Sequence, residues 1–203
     1  MALAARLLST GKRVYAPEFK SGHQIRSTYR QGELVCGCPD CNAVVFPRDR
    51  KGFALHFVHQ RDCESKFNYH PVSPEHERGK ELIRDLFMAE LSDYSDVRVE
   101  FELPIKEANR IADVAVIYPT GYLLVGECQL ASITTADLEA RTNDYESAGA
   151  DVIWWLGKDA DTAANRSWSI ERFGECRLIN YQHLTDVSRP NHLKQIGGER
   201  VAS

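Results

Sequence analysis

The sequence lacks an uninterrupted apolar run of about 18 residues, the length expected of a membrane-spanning helix. It also lacks a basic start before its short apolar N-terminal stretch, which argues against a secretory signal peptide. Both absences predict a cytoplasmic protein with no membrane partner. Disulfides are disfavoured in a reducing cytoplasm, so the six cysteines indicate metal binding or catalysis instead.

A strong net charge is also lacking. The formal charge is −4, which taken alone argues against a nucleic-acid partner. The charges are unevenly divided, however. Residues 1–70 carry eleven Lys or Arg against six Asp or Glu, net +5, whereas residues 71–203 carry fourteen against twenty-three, net −9. A basic module can attract phosphates, and an acidic module offers carboxylates for metal ions, so two parts with different tasks are expected.

The basic part, residues 1–70, contains a cluster of cysteine and histidine at about residues 34–68. Two short pairs are separated by a stretch that favours a turn, which is the spacing of metal-ligand pairs brought together by a hairpin. The predicted ligands are Cys38, Cys41, His59 and Cys63. Thiolate and imidazole suit Zn²⁺, and a closed set of four predicts a structural zinc in a small module similar to a zinc finger. Cys36 and His56 are second-choice ligands, and the alternative is reduced cysteines packed in a core.

Between the two ligand pairs, two short predicted strands flank a turn that carries Arg48, Arg50 and Lys51. The turn is either a solvated tip or a contact for nucleic-acid phosphates.

The acidic part, residues 71–185, predicts an α/β domain with a mixed sheet, followed by a polar tail at 186–203. Ser73 and Pro74 have the order of an N-cap and a first helical residue, so a helix is expected to about residue 91. Three strands, a second helix and a strand reached by a crossover, therefore parallel to its neighbour, should follow. They are expected at 97–103, 111–118, 122–129, 134–148 and 151–157, with at most one more strand near 176–181.

Two carboxylates interrupt apolar strands of this domain. Asp113 and Glu127 would lie on adjacent strands joined by a turn, and Gln129 shares the side of the strand that presents Glu127. A carboxylate in an apolar strand is costly unless it is paired or bound to a metal, so Mg²⁺ or Mn²⁺ is expected between the two. His76 and Lys80 lie at the edge of the buried face of the first helix, either as a satisfied histidine and a lysine whose charged end reaches solvent or because they have a functional role.

The sequence resembles the CoiA-like nuclease family of the PD-(D/E)xK superfamily. The family pattern joins paired cysteines and H-F-x-H to S-x-x-H-x3-K, E…R-x-A-D, E-x-Q and R-x3-Y before an apolar strand that contains tryptophan. The corresponding residues are His56 to His59, Ser73, His76, Lys80, Glu100, Arg110 to Asp113, Glu127 to Gln129, Arg141, Tyr145 and Val152 to Trp155. The match is colinear over about residues 35 to 157, and six motifs in order are more specific than any one of them.

The resemblance implies a restriction-endonuclease-like fold and metal-dependent hydrolysis of DNA phosphodiesters. The implied catalytic residues are His76, Lys80, Glu100, Asp113, Glu127 and Gln129, with Arg110 and Arg141 joining the basic turn as nucleic-acid contacts. Most members of the superfamily have lysine where this chain has Gln129. Glutamine cannot act as a base and carries no charge, so Lys80 or Arg141 is expected to supply the missing cation while Gln129 orients a water molecule.

The leading hypothesis is a Mg²⁺- or Mn²⁺-dependent deoxyribonuclease whose zinc module grips DNA, with Asp113, Glu127 and Glu100 holding the ion. A DNA-binding protein that no longer cuts is the second hypothesis, and Gln129 is its best support. A zinc-stapled protein-interaction module is the third. The sequence leaves open whether the DNA is single- or double-stranded and whether cutting is internal or from an end. It is compatible with a monomer and with a homo-oligomer.

Overall fold

The structure is a computed structural model that describes residues 2–38, 40–51, 53–60, 63 and 73–180, and the backbone of Arg200–Ala202. Two parts of the predictions lie outside these ranges. They are the end of the zinc module, beyond residue 63, and residues 186–199 of the polar tail.

The N-terminal part combines a small sheet, a short helix and a hairpin. Its elements are β1 (Ala4–Leu7), β2 (Arg13–Tyr15), α1 (Gly22–Thr28), β3 (Leu34–Cys36), β4 (Val45–Arg48) and β5 (His56–His59). Strand β1 pairs antiparallel with both β2 and β3, and β4 pairs antiparallel with β5. The β4–β5 hairpin was predicted, but β1 to β3 were not. Buried apolar side chains of the two sheets and α1, among them Ile25 and Phe57, form one common core.

The C-terminal part is the predicted mixed α/β domain. Its elements are α2 (Pro74–Glu90), β6 (Arg98–Ile105), β7 (Arg110–Ile117), β8 (Leu123–Gln129), α3 (Thr135–Ser147), β9 (Ala150–Leu156), α4 (Ala163–Phe173), β10 (Glu175–Leu178) and β11 (Arg200–Ala202). The strand order is β11-β10-β9-β8-β7-β6. The pairs β6–β7, β7–β8 and β10–β11 are antiparallel, and the pairs β8–β9 and β9–β10 are parallel. The sheet is therefore mixed, as in restriction-endonuclease-like folds.

Helix α2 covers one face of this sheet. Its N-cap is Ser73, whose hydroxyl accepts a hydrogen bond from the His76 amide, with Pro74 in the first turn as predicted. The ring of Phe87 packs edge-on against Trp155 at 5.2 Å, and burying such a side chain contributes about 1.5–3 kcal/mol. The helix lies so close to β8 that a Cβ at Gly126 would be 2.7 Å from the Phe87 ring. Glycine at 126 is therefore required for α2 to pack against the strand.

Helices α3 and α4 cover the opposite face, and α4 was not predicted. The hydroxyl of Thr162 accepts from the Asn165 amide at the start of α4, and Gly174 ends it with a φ of +78°. The expectation that β9 is followed by no more than one strand is therefore wrong, because a helix and two strands follow it. Thr162 and Gly174 are the sequence signals that could have shown this helix.

Candidate functional site

The antiparallel ladder between β7 and β8 ends beside two acidic residues. The last pair in register is Val114 with Gly126, and the next residues along the two strands are Asp113 and Glu127. Beyond this pair, the carboxylates of Asp113 and Glu127 accept hydrogen bonds from backbone amides that would otherwise bond to backbone carbonyl groups of the neighbouring strand. The Cys128 amide donates to Asp113 Oδ2 at 2.9 Å, and the Asp113 amide donates to Glu127 Oε1 at 3.2 Å. The predicted convergence of these carboxylates results from this exchange of backbone for side-chain acceptors.

The first turn of α2 places His76 against the same point. Its Nε2 atom lies 3.1 Å from Asp113 Oδ2 and 2.8 Å from the carbonyl oxygen of Cys128. One nitrogen therefore stands between a carboxylate and a carbonyl oxygen. The Nδ1 atom of the same ring is buried without a hydrogen-bond partner among the described residues.

Helix α3 approaches from the other side with Arg141 and Tyr145. The guanidinium group of Arg141 donates to Glu127 Oε2 at 2.5 Å and to Gln129 Oε1 at 3.0 Å. The Tyr145 hydroxyl donates to Glu127 Oε1 at 2.8 Å. The Arg141 guanidinium also lies over the Trp154 ring, 4.7 Å from its centre. Glu127 and Gln129 thus share one side of β8, as strand parity predicts, and both accept hydrogen bonds from the Arg141 guanidinium group.

The two carboxyl groups differ in pKa. Burial is the largest influence on each and raises it, but His76, Lys80 and the Cys128 amide outweigh burial at Asp113 and hold its pKa at about 2. At Glu127, burial and the neighbouring Asp113 charge together raise the pKa despite Arg141 and Tyr145. Two adjacent carboxylates repel each other, so a divalent cation between them would favour the ionised form of both.

Lys80 is fully buried on the α2 side of the site. Its Nζ atom lies 2.6 Å from Glu102 Oε1 and 3.0 Å from Glu77 Oε1. Burial alone would lower the pKa of this lysine, but the charges of Glu102, Glu77 and Asp113 raise it well above its usual value. Lys80 is therefore a protonated cation in the protein interior. Glu77, which is only 1% exposed, and Glu102 are site residues that the sequence reasoning missed.

Glu100, the predicted third carboxylate of the site, does not lie with Asp113 and Glu127. Its carboxylate accepts from the Tyr15 hydroxyl at 2.9 Å and pairs with Arg98 at 3.1 Å. Glu102, two residues further along β6, contacts Lys80 instead. The two glutamates have the same parity in an alternating strand, so the sequence pattern could not separate them.

The predicted nucleic-acid contacts occupy three places. Arg141 is at the site just described, and Arg110 lies outside it, paired with Asp144 at 2.6 Å. Arg48, Arg50 and Lys51 are exposed at the β4–β5 turn.

This basic turn is held by α1. The Asp49 carboxylate, the one acidic group among these four residues, accepts from the Gly22 amide at 3.2 Å. The exposed Arg26 side chain donates to the Pro47 carbonyl at 3.2 Å and so extends the cationic surface onto α1.

The predicted cysteine and histidine cluster is assembled between β3, β5 and the loop that follows β3. Potential ligand atoms within 4.8 Å of one another belong to Cys36, Cys41, His59 and Cys63. The Sγ atoms of Cys36 and Cys63 are 3.8 Å apart, and two thiolates on tetrahedral zinc are separated by about 3.8 Å. The soft donor set fits zinc. The Cys38 thiol and burial raise the pKa of Cys36, and a bound cation would oppose this shift.

The cluster offers more donors than zinc requires. Cys38 Sγ lies 4.0 Å from Cys63 Sγ, beside the group that contains Cys36. Cys36, the second-choice ligand, is thus better placed than expected, and which of the two cysteines is the fourth ligand stays a prediction. The Nδ1 atom of His56 is 2.7 Å from the Ala54 carbonyl oxygen, and its ring is not part of the group.

The described part of the chain contains no helix that is both long and apolar enough to cross a membrane. A comparison with curated protein sequences finds no match. Among solved structures, SfsA of Pyrococcus furiosus in complex with Ca²⁺ is similar at 9% identity, with 72% of this chain and 77% of that chain covered and a TM-score of 0.32.

The protein is an α/β protein with a mixed sheet, in which Asp113 and Glu127 lie on two adjacent inner strands, and an N-terminal cysteine and histidine module precedes this sheet. The family model described as "Competence protein CoiA, nuclease-like domain" matches residues 73–188, which is more than half of the chain. The chain belongs to this family.

Proposed function

We propose that the protein is a nuclease that hydrolyses DNA phosphodiesters with Mg²⁺ or Mn²⁺. The observation that carries the proposal is the pair formed by Asp113 and Glu127, which lie side by side where β7 and β8 separate. Family membership supports a nuclease-type function, and the DNA substrate and the metal are part of the proposal.

The donor atoms at this point fit a hard cation. Carboxylate oxygens of Asp113 and Glu127 and the carbonyl oxygen of Cys128 are the oxygen ligands that Mg²⁺ prefers. Because His76 Nε2 is within hydrogen-bond distance of both Asp113 Oδ2 and the Cys128 oxygen, a cation near that position can contact both oxygens. A bound ion would lower the pKa of a water molecule and stabilise charge on the phosphate.

The neighbouring side chains would orient and stabilise the reacting groups. Gln129 is fixed at both ends of its amide, since Oε1 accepts from Arg141 and Nε2 donates to the Ala131 carbonyl at 2.7 Å. In the proposed reaction Arg141 supplies the positive charge that a lysine at position 129 would supply. Lys80 is less suited to this role because Glu77 and Glu102 already neutralise it.

DNA would be held by the basic N-terminal part. Arg48, Arg50 and Lys51 are exposed at one turn whose one acidic residue is Asp49, so the net charge of these four residues is positive. Phosphate contacts of this kind position a duplex without reading its sequence. Changing Arg50 and Lys51 to glutamine should weaken DNA binding and reduce its dependence on salt concentration, which a gel shift over a salt series measures.

Cleavage of plasmid DNA tests the proposal. The wild-type protein should cut with Mg²⁺ or Mn²⁺ and not with EDTA, and Asp113→Asn and Glu127→Gln should each abolish cutting while retaining the fold. Asp161→Asn is the matched control, because it removes a carboxylate that pairs with Arg166 at 2.5 Å outside the site. Cutting at the wild-type rate by either site variant would remove Asp113 and Glu127 from the reaction.

A DNA-binding protein that does not cut is the second candidate. It is favoured by Gln129 and by the fact that both carboxylates are already engaged, Asp113 by His76 and Glu127 by Arg141. In that case no divalent ion would induce cutting, but a salt-dependent gel shift would remain. Absence of both cutting and a gel shift would leave the zinc-stapled protein-interaction module.

A further inference from the structure

Glu102 occupies an irregular point of the sheet. Its φ of +52° is unusual for a residue other than glycine. Phe101 pairs with Val114 and Leu103 pairs with Ala112, but no pair in register is formed by Glu102 and Asp113 between them.

The strands rotate at this point. Phe101 and Val114 belong to the core under α2, whereas Leu103 and Ala112 contact the core under α3. A regular strand would keep Phe101 and Leu103 on one face. The irregular backbone at Glu102 therefore lies opposite the point at which β7 rotates, and this point is occupied by Asp113.

The N-terminal sheet holds both ends of Glu102. The amides of Leu3 and Ala4 donate to its carboxylate at 3.1 and 3.0 Å. The Arg13 guanidinium donates to the carbonyl oxygens of Phe101 and Glu102, each at 2.7 Å. A sparsely populated backbone conformation costs about 1–3 kcal/mol and persists where the surroundings over-determine it. These four hydrogen bonds supply that restraint.

The same carboxylate also fixes the position of Lys80. Glu102 Oε1 is 2.6 Å from Lys80 Nζ. Lys80 lies one turn after His76 on α2, and His76 Nε2 is 3.1 Å from Asp113 Oδ2. If the Glu102 charge were lost, the Lys80 ammonium would be drawn toward the remaining carboxylates, Asp113 among them. It would then compete with a divalent cation for Asp113.

We propose that Glu102 is a positioning residue of the nuclease centre. The N-terminal sheet holds Glu102, and Glu102 in turn holds the Lys80 ammonium group away from the metal position. Asp113 and Glu127 then remain available for the metal. This inference rests on the proposed function. In this proposal the N-terminal sheet supports the metal site of the C-terminal domain, in addition to lying near the β4–β5 turn that is proposed to contact DNA.

The segment that holds Glu102 also contacts the cysteine cluster. Arg6, two residues after Ala4, donates to the carbonyl oxygens of Cys36, Cys38 and Cys41 at 3.1, 3.2 and 3.0 Å. The backbone of β1 therefore links the loop that carries the predicted zinc ligands to the residue that fixes Lys80.

The test compares full-length wild-type protein with Glu102→Gln and Glu102→Asp. Glutamine removes the charge and keeps the size, and aspartate keeps the charge but withdraws it by one methylene group. Mn²⁺ affinity, measured by isothermal titration without DNA, should fall about tenfold or more in Glu102→Gln, the scale of residues that support metal ligands. Glu102→Asp should recover part of this loss. The catalytic rate should fall with the Mn²⁺ affinity, whereas the KM for DNA should not change.

Amide hydrogen exchange adds a readout that does not depend on metal or DNA. The Leu3 and Ala4 amides should exchange slowly in the wild-type protein and faster in Glu102→Gln. Asp161→Asn should match the wild type in both Mn²⁺ affinity and exchange.

Equal Mn²⁺ affinity in wild type and Glu102→Gln would overturn the inference, as would a wild-type protein that binds no Mn²⁺. If Glu102→Gln does not fold, wild-type affinity in Glu102→Asp would overturn it. A wild-type protein that binds Mn²⁺ without cutting DNA would contradict the proposed nuclease alone, so the two failures are distinguishable.

Discussion

Arg141 supplies the positive charge in the proposed chemistry, and its one guanidinium group contacts both Glu127 and Gln129. Its position over the Trp154 ring adds a cation–π contact that restricts its movement. A lysine on β8 would place a charge at this point directly. Here the charge comes from α3, and the glutamine serves as its acceptor.

Replacement of Arg141 should therefore impair cleavage more than folding. Arg141→Gln is expected to lose about a hundredfold in catalytic rate, the usual scale for one preorganised group that stabilises charge. Gln129→Lys added to Arg141→Gln should recover part of this loss, because lysine at 129 restores a cation beside Glu127. Plasmid cleavage under single-turnover conditions measures both effects.

Arg172→Gln is the matched control, since Arg172 pairs with Glu146 at 2.5 Å between α3 and α4, outside the site. If the double variant is no more active than Arg141→Gln, the cation is not what Arg141 contributes.

At the scale of the element, α2 carries three acidic residues that are each one turn apart, Glu77, Glu81 and Asp85, of which Glu77 is buried. Burial is the main cause that raises the pKa of Glu81 to about 7, and the charges of Glu77 and Asp85 add to it. The folded protein thus binds a proton at Glu81 that the unfolded chain releases near its ordinary value of about 4.3.

The stability contributed by this proton should be present below pH 4 and should be lost as the pH rises from about 4.3 to about 7. Glu81→Gln keeps the neutral form at every pH. It should therefore raise the melting temperature at pH 8 relative to wild type and change it little near pH 4.5. Thermal unfolding at the two pH values measures the difference, and an equal shift at both would show that Glu81 does not titrate in this range.

The elements of the C-terminal domain could largely be predicted, because each has a local cause. Ser73 and Thr134 accept hydrogen bonds at the starts of α2 and α3, and alternation marks β6. Helix α4 was missed although its boundaries at Thr162 and Gly174 are equally clear and Trp168, Ile170 and Phe173 pack against the core. The rotation of β6 and β7 at Glu102 has no local signal, because Leu3, Ala4 and Arg13 impose it from far along the chain.

At the scale of the whole molecule, the charge asymmetry predicted two parts with different tasks, but it gave no sign of how tightly they are joined. Asp113, Glu127 and Gln129 were predictable because strand parity and a turn bring them together. Glu102 and Glu77 were not, since their roles depend on Lys80 and on the N-terminal sheet. The dense clustering of cysteines made the metal module recognisable, while the choice between Cys36 and Cys38 required three-dimensional distances.

The cysteine cluster makes a prediction for the folded protein. We expect one zinc ion per chain, and the geometry favours Cys36 over Cys38 as the fourth ligand. Cys36→Ser should therefore lower the zinc content well below one and destabilise the N-terminal part, whereas Cys38→Ser should retain the ion. Elemental analysis with thermal unfolding measures both. Full zinc occupancy in Cys36→Ser together with loss in Cys38→Ser would reverse the assignment.

The central claim is that Asp113 and Glu127 hold a catalytic divalent cation, and an anomalous-scattering measurement on crystals soaked with Mn²⁺ tests it most directly. We predict an anomalous peak in contact with Asp113, Glu127 and the Cys128 carbonyl oxygen, with the His76 ring moved away from its present position. The same soak of Asp113→Asn crystals should show no peak there. Absence of the peak in wild-type crystals, at Mn²⁺ concentrations that support plasmid cleavage, would contradict the account.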